Sequence, residues 1–130
     1  MTILLRAAAV AEAATGLVLL VYPSVVVRLL FGSEISGAGI VMSRITGISL
    51  IALGVACWSG RDASDSALPL FGMFTYSSLA ALYLAYQGVG GEWVGILLWP
   101  AVVFHVALPV LLIRSWIKDQ QINPGRGDHR

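Results

Sequence analysis

The sequence predicts an all-α fold: a four-transmembrane-helix bundle with a short interfacial amphipathic helix between the first and second crossings. Two observations predict it. Of the 130 residues, 58% are hydrophobic and 12% are charged, whereas soluble domains average roughly 45–50% and about 25%. Apolar runs of bilayer length also occur four times, and each crossing needs about 20 residues. We therefore expect residues 1–118 to form one membrane domain.

The first crossing is expected over residues 3–22, where an apolar run ends at Pro23. Arg6 and Glu12 interrupt this run. A carboxylate inside the apolar region does not fit a cleavable signal peptide. We therefore expect the segment to remain in the protein as its first transmembrane helix.

A short amphipathic stretch follows over residues 24–31. Val25, Val26, Leu29 and Leu30 share one side, which leaves Arg28 to face lipid headgroups, and Gly32 ends the stretch. This pattern is typical of a helix lying in the plane of the membrane interface.

The other three crossings are expected at about residues 39–58, 67–87 and 93–116. The second carries Gly47 and Gly54, small residues that allow two membrane helices to approach closely. Within a single chain such a pattern indicates tight packing inside the bundle rather than a dimerisation motif.

Positive charges set the expected orientation, because lysine and arginine near the ends of crossings stay on the cytoplasmic side. Most of them share one side of the membrane: Arg6, Arg61, Arg114, Lys118, Arg126 and Arg130. We expect an inner-membrane protein with both termini in the cytoplasm. Trp58 and Trp116 would mark the inner interface and Trp93 the outer one. The polar segment 119–130 is predicted to be a disordered tail.

Ionisable residues at membrane depth are the most informative feature, since a charge at the bilayer centre costs about 2.5–3.5 kcal/mol. At 1.5 Å of rise per residue, each crossing brings one polar side chain to a similar level. The predicted polar cluster comprises Glu12, Arg44, Tyr76 and His105, with hydroxyl groups from Thr15 and Thr46. Pro100 and Pro109 flank His105, and prolines free backbone carbonyls inside a membrane helix.

Three interpretations of this cluster remain open. Glu12 and Arg44 could form an internal ion pair that fixes helix register without doing chemistry. The carboxylate, imidazole and phenol could instead hold a polar ligand head or relay a proton. One of the groups could also pair across an interface, in a homo-oligomer or with a partner membrane subunit.

Several function classes are excluded by the sequence. The net charge of +1 and the lack of a basic tract argue against nucleic-acid binding. No metal-ligand triad, nucleophile elbow or phosphate loop is present, so we assign no catalytic and no metal-binding residue. His105 is the only histidine within a crossing, and a bis-histidine haem would need two chains. The expected ligands are membrane lipid or a quinone, not haem.

The residue pattern resembles the DoxX-like group of small four-helix bacterial membrane proteins. The matching features are Arg6 and Glu12 in the first helix, Leu-Phe-Gly at 30–32, Ser-Arg-Ile-Thr-Gly at 43–47 leading to Ala52, Leu53, Gly54 and Trp58, then Tyr76 and His105. The resemblance covers nearly the whole membrane part. It implies a four-helix bundle with both termini inside, and in some members association with quinone-linked oxidoreductases. It does not imply a catalytic subunit, so an accessory or ligand-binding subunit is the first expectation.

Small multidrug exporters are a second resemblance, because they are four-helix chains with one essential glutamate in the first helix, where Glu12 stands. Their carboxylate binds either a proton or a cation. Arg44 departs from that pattern, because it would neutralise Glu12. A proton-coupled transporter is therefore the second expectation, and a membrane enzyme using Glu12 and His105 as acid and base on a lipid-like substrate is the third.

Overall fold

The computed structural model describes residues 2–59 and 67–122, and every regular element in these two ranges is a helix. The helices are α1 (Thr2–Val21), α2 (Pro23–Phe31), α3 (Ala38–Ser59), α4 (Ala67–Gly90) and α5 (Leu98–Ile122). The predicted all-α fold, with four long helices and a short one after the first, is confirmed. The predicted loop around Arg61 and the tail beyond residue 122 lie outside the described residues.

Proline and glycine set the helix ends where the sequence predicted them. Pro23 begins α2 directly after the break at Tyr22, because proline has no N–H to continue α1 and its fixed φ suits a first helical turn. Gly32 ends α2 in the left-handed region, with φ of 68° and its N–H donated to the Arg28 carbonyl at 2.9 Å. The left-handed Gly91, with φ of 73°, similarly follows α4.

The last two long helices differ from the predicted bounds. α4 continues through Gly88 to Gly90 rather than ending at residue 87, and α5 begins at Leu98 rather than at 93. α5 also extends beyond Lys118 to Ile122, so the first residues of the predicted tail are helical. Pro100 lies in the first turn of α5 and does not interrupt it, whereas Pro109 lies inside the helix.

The long helices pack as two pairs: α1 mainly against α3, and α4 mainly against α5. Antiparallel packing of α1 and α3 depends on small residues. A Cβ atom added to Gly47 would stand 2.6 Å from the Gly16 carbonyl oxygen, and one added to Gly54 would stand 2.7 Å from that of Ala9. The predicted role of Gly47 and Gly54 in close packing within the bundle is confirmed.

The two pairs meet through a hydrophobic core at one end of the bundle, where α1 and α4 begin and α3 and α5 end. Its buried residues are Leu5, Ala8, Ala9, Cys57, Leu70, Met73, Leu108 and Leu112. The helices of different pairs contact each other much less than the helices within a pair. The space between the pairs at the other end is the cavity described below.

Helix α2 lies at the cavity end and is held there by the segment before α5. The Gly95 N–H donates to the Leu30 carbonyl and the Leu97 N–H to the Leu29 carbonyl, both at 2.8 Å. These bonds satisfy two of the carbonyls that the end of a helix leaves without partners. They also explain why α5 begins late, since the amides of this segment bond to α2 rather than within a helix.

The protein is a multi-pass membrane protein by the length and composition of its helices. Four segments are long and apolar enough to cross a bilayer: Ile3–Val21, Ala38–Trp58, Leu68–Gly90 and Leu98–Lys118. Large apolar side chains cover the outer surface, for example Ile3, Leu82 and Val89, which are 81%, 69% and 81% exposed. Such a surface is stable against lipid and not against water. The inner-membrane location and the cytoplasmic termini remain predictions.

Candidate functional site

A cavity of about 1030 Å³ lies between the two helix pairs, under α2, and is open on one side. Its walls come from all five helices and are mostly apolar: Val18, Leu19, Val25, Val26, Leu29, Leu30, Phe31, Met42, Leu50, Leu84, Leu97 and Phe104 are among them. The volume is at the upper end of the range of roughly 300–1,000 Å³ for small-molecule sites. The cavity is therefore large enough for a ligand with an extended apolar part.

Glu12, Tyr76 and His105 line the inner end of this cavity, between the apolar walls and the hydrophobic core. Glu12 is 2% exposed, and its Oε1 lies 3.7 Å from Nε2 of His105. Neither of these two atoms has a hydrogen-bond partner in the described part of the chain. A buried polar atom without a partner costs about 1–3 kcal/mol, so this point of the cavity favours a polar ligand group.

The tautomer of His105 follows from its other ring nitrogen. Nδ1 lies 2.8 Å from the Ala101 carbonyl oxygen, one helical turn earlier in α5. A carbonyl oxygen only accepts, so Nδ1 carries a hydrogen and donates it. In the neutral ring, Nε2 then holds a lone pair and acts as an acceptor. His105 therefore offers a hydrogen-bond acceptor to the Glu12 side of the cavity.

Tyr76 completes the polar end of the cavity from α4. Its hydroxyl group interacts with the Glu12 carboxyl group, to which it can donate its hydrogen. Its ring meets the His105 ring edge-on, with centroids 5.9 Å apart, and Phe104 packs edge-on against the other side of that imidazole at 5.4 Å. These contacts fix the orientation of the imidazole as well as the carboxyl group.

Pro109 affects a backbone carbonyl group of α5, that of His105. It lacks the N–H that would bond to the carbonyl of residue 105 within α5. The His105 carbonyl therefore lacks its usual donor four residues later in the helix.

Arg44 does not belong to this group, contrary to the sequence prediction. Its side chain is exposed, and the ion pairs among the described residues do not include one between Arg44 and Glu12. Arg44 is six residues into α3, roughly 9 Å from the start of the helix at 1.5 Å per residue. A long side chain at that depth reaches toward the near membrane surface rather than inward.

Thr15 and Thr46 line the cavity but their hydroxyl groups are used elsewhere. The Thr15 hydroxyl donates to the Ala11 carbonyl and the Thr46 hydroxyl to the Met42 carbonyl, each at 2.9 Å. Threonine in a helix commonly bonds to the preceding turn in this way. The two threonines therefore shape the wall of the cavity and leave its polar chemistry to Glu12, Tyr76 and His105.

The residues predicted at the membrane surface are exposed and lie within two turns of a helix end or in a loop. Trp58 and Trp116 are near the ends of α3 and α5, while Trp93 lies in the loop before α5. The Arg6 guanidinium stands 6.0 Å from the centroid of a Trp58 ring. Arg28 is exposed and lies 3.6 Å from the Glu34 carboxylate. Their contact with a membrane interface remains a prediction.

Three cavity-lining residues among those the sequence did not identify are Ala80, Ala101 and Phe104. Helical spacing could have identified some of the lining residues. Tyr76, Ala80 and Tyr83 are four and three residues apart, which places them on one face of a helix. Ser77, which is fully buried and has an unpartnered hydroxyl among the described residues, was also missed.

The chemistry available at the site is hydrogen bonding and proton exchange. Within residues 2–59 and 67–122, no group of three or more His, Cys, Asp or Glu side chains is placed to hold a metal ion. The buried carboxyl, imidazole and phenol groups can bind a polar head by hydrogen bonds or pass a proton between them.

Comparison with known proteins finds no family model, no curated protein and no solved structure that matches this chain. The resemblance to DoxX-like proteins, which was based on residue pattern, therefore remains a prediction.

Proposed function

We propose that this membrane protein is an accessory or ligand-binding subunit whose cavity holds a lipid-like or quinone-like molecule. The apolar tail of the ligand would lie between the helix pairs, and its polar head would reach Glu12 and His105. One observation carries the proposal: a cavity of about 1030 Å³ with apolar walls ends at two buried polar atoms that have no partner among the described residues. Apolar pockets with a few convergent polar groups are typical of small-molecule sites.

The shape of the cavity supports an elongated ligand rather than a compact polar one. Its lining extends along α4 from Tyr76 to Leu84, and from His105 back along α5 to Leu97, the residue before that helix. Eight residues of helix correspond to roughly 12 Å at 1.5 Å per residue. The length and apolar lining suit an alkyl or isoprenoid chain with its head at the buried end.

The test is mass spectrometry of the intact protein, purified in lauryldimethylamine oxide, before and after addition of dioleoylglycerol or decylubiquinone. We expect wild-type protein to retain a copurified apolar molecule or to bind at least one probe. Protein that carries no adduct and binds neither probe at saturation would overturn the proposal.

Two tryptophan variants of α3 provide the matched control. Thr46 lines the cavity and Ser49 does not, yet both are exposed and both donate to the carbonyl four residues earlier. Thr46→Trp would fill part of the cavity, and we expect it to abolish binding. Ser49→Trp places the same side chain elsewhere on the helix and should retain the ligand. Equal binding by the two variants would show that the ligand occupies another surface.

Proton-coupled transport is a second candidate, favoured by the exposed position of Arg44. The sequence suggested that this arginine would neutralise Glu12, but no such ion pair forms in the described residues. A carboxyl group lining an open cavity is what exchange of a proton for a cation requires. Proteoliposomes with an outward proton gradient test this candidate with ethidium as substrate. Flux that is lost in Glu12→Gln supports transport, and absence of flux in wild type excludes it for this substrate.

A further inference from the structure

The polar end of the cavity has an uncommon combination of hydrogen-bonding groups. Oε1 of Glu12 and Nε2 of His105 face each other at 3.7 Å, too far for a direct hydrogen bond, and both lack partners in the described residues. Because Nδ1 of His105 donates to Ala101, Nε2 of the neutral ring is an acceptor. An ionised carboxylate oxygen is an acceptor as well.

The number of protons held by Glu12 and His105 decides which hydrogen-bond donors or acceptors the pair still needs. With no proton, both atoms need a donor. With one proton, on either the carboxyl group or the imidazole, one atom donates and the other still accepts. In both states at least one acceptor requires a hydrogen from outside. Tyr76 cannot supply it to both atoms, since its single hydroxyl hydrogen is already directed at the Glu12 carboxyl group.

We propose that the ligand head is a hydroxyl group, which bridges Oε1 of Glu12 and Nε2 of His105. A hydroxyl donates one hydrogen bond and accepts others, so it satisfies both atoms when the pair holds one proton, and one of the two acceptors when it holds none. A carbonyl, ether or ester oxygen only accepts and leaves one buried atom without a partner. This inference rests on the proposed ligand-binding function and adds the chemical class of the head: an alcohol or hydroquinone on an apolar chain, rather than a quinone or an ester.

The cavity walls are consistent with a small head. Phe104 packs against the His105 ring, so an apolar side chain adjoins the polar end. The threonine hydroxyls of the wall are already bonded within their own helices. Tyr83 also lines the cavity but lies seven residues beyond Tyr76 along α4, roughly 10 Å away, and Ser43 lies near the start of α3. A head with many polar atoms, such as a sugar or a phosphate ester, would therefore find few partners at the Glu12 end.

The test compares two isomers of identical composition, 1-heptadecanol and 1-methoxyhexadecane. Dissociation constants are measured by titration in lauryldimethylamine oxide, which has no hydroxyl group of its own. We expect the alcohol to bind at least about fivefold more tightly, since the ether leaves a buried group without a partner. Decylubiquinol and decylubiquinone form a second pair that separates a hydroquinone source from an alkyl alcohol. Tighter binding of the hydroxyl-bearing member in either pair supports the proposal. The pair that shows it identifies the ligand as an alkyl alcohol or a hydroquinone.

Glu12→Gln tests whether the preference for the alcohol over the ether arises at Glu12 and His105. Glutamine always carries N–H donors, so the ether gains a partner and we expect the ratio of the two dissociation constants to fall toward one. His105→Asn is the second variant, because it removes Nε2 while keeping an amide able to donate to Ala101. Protection of the buried Cys57 from thiol reagents reports that each variant is folded. An unchanged ratio in folded variants would overturn the proposal.

The possible failures are distinguishable. Equal binding of both isomers by wild type, abolished in Thr46→Trp, would leave the ligand-binding function intact and refute only the hydroxyl head. Failure of wild type to bind any of the four probes would overturn both proposals.

Discussion

Glu12 of α1 and His105 of α5 lie with Oε1 and Nε2 3.7 Å apart, although their helices belong to different pairs and share few contacts. The distance is beyond a hydrogen bond, and the described residues leave both atoms unpartnered. Tyr76 interacts with the Glu12 carboxyl group, and Nδ1 of His105 lies 2.8 Å from the Ala101 carbonyl oxygen. The pair is therefore positioned by its neighbours and open toward the cavity.

Removing the Tyr76 hydroxyl should destabilise the protein, because the Glu12 carboxyl group would lose its donor. We expect Tyr76→Phe to lower the free energy of unfolding by about 1–3 kcal/mol. Tyr86→Phe is the control, since Tyr86 is 73% exposed and does not line the cavity, and its effect should be within about 0.5 kcal/mol. Thermal unfolding followed by labelling of Cys57, the single cysteine, measures both. Equal midpoints would show that the Tyr76 hydroxyl contributes no stability.

Arg44→Gln should leave both stability and ligand binding close to wild type. The Arg44 side chain is exposed and forms no ion pair with Glu12 within the described residues. If the pair predicted from the sequence existed, removal of the arginine would leave a buried charge uncompensated at a cost of about 3–5 kcal/mol. Thermal unfolding followed by Cys57 labelling distinguishes an exposed Arg44 from one paired with Glu12. A large loss of stability would restore Arg44 to the polar cluster.

Helix number and most helix ends could be predicted because they depend on local properties of the chain. Four apolar runs specify four crossings, Pro23 separates α1 from α2, and Gly32 ends α2. Each of these signals acts through the backbone of its own segment. The start of α5 could not be predicted this way, because the residues before Leu98 bond to carbonyls of α2 that are distant in sequence.

The polar site was predicted in part. Because helices have a common rise per residue, depth along each helix could be calculated from the sequence. The calculated depths placed Glu12, Tyr76 and His105 at a similar level, and the three side chains do lie close together. Depth does not specify which way a side chain points around the helix, and Arg44 therefore faces outward at a similar predicted level. The cavity itself depends on how the helices pair, which is a property of the assembled bundle.

Substitution of Gly47 should destabilise the pairing of α1 with α3. A Cβ atom there would stand 2.6 Å from the Gly16 carbonyl oxygen and 2.9 Å from the Leu20 nitrogen, both of them backbone atoms. We expect Gly47→Ala to lower the free energy of unfolding by about 1–3 kcal/mol, as overpacking does. Gly72→Ala is the control, because nothing lies within 4 Å of that position and alanine favours a helix by about 0.5–1 kcal/mol. The prediction fails if the two variants unfold at the same temperature.

Gly95 should be required to hold α2 over the cavity. Its N–H donates to the Leu30 carbonyl, and a Cβ atom there would stand 2.6 Å from the carbonyl carbons of Leu29 and Leu30. We expect Gly95→Ala to push the segment away from α2 and to break these backbone hydrogen bonds. Hydrogen exchange measured by mass spectrometry should then accelerate at residues 95–97. Gly90→Ala, where the added Cβ meets no atom within 4 Å, should leave exchange unchanged. Because α2 forms one wall of the cavity, the Gly95 variant should also release ligand faster, whereas unchanged exchange would show that the segment tolerates the methyl group.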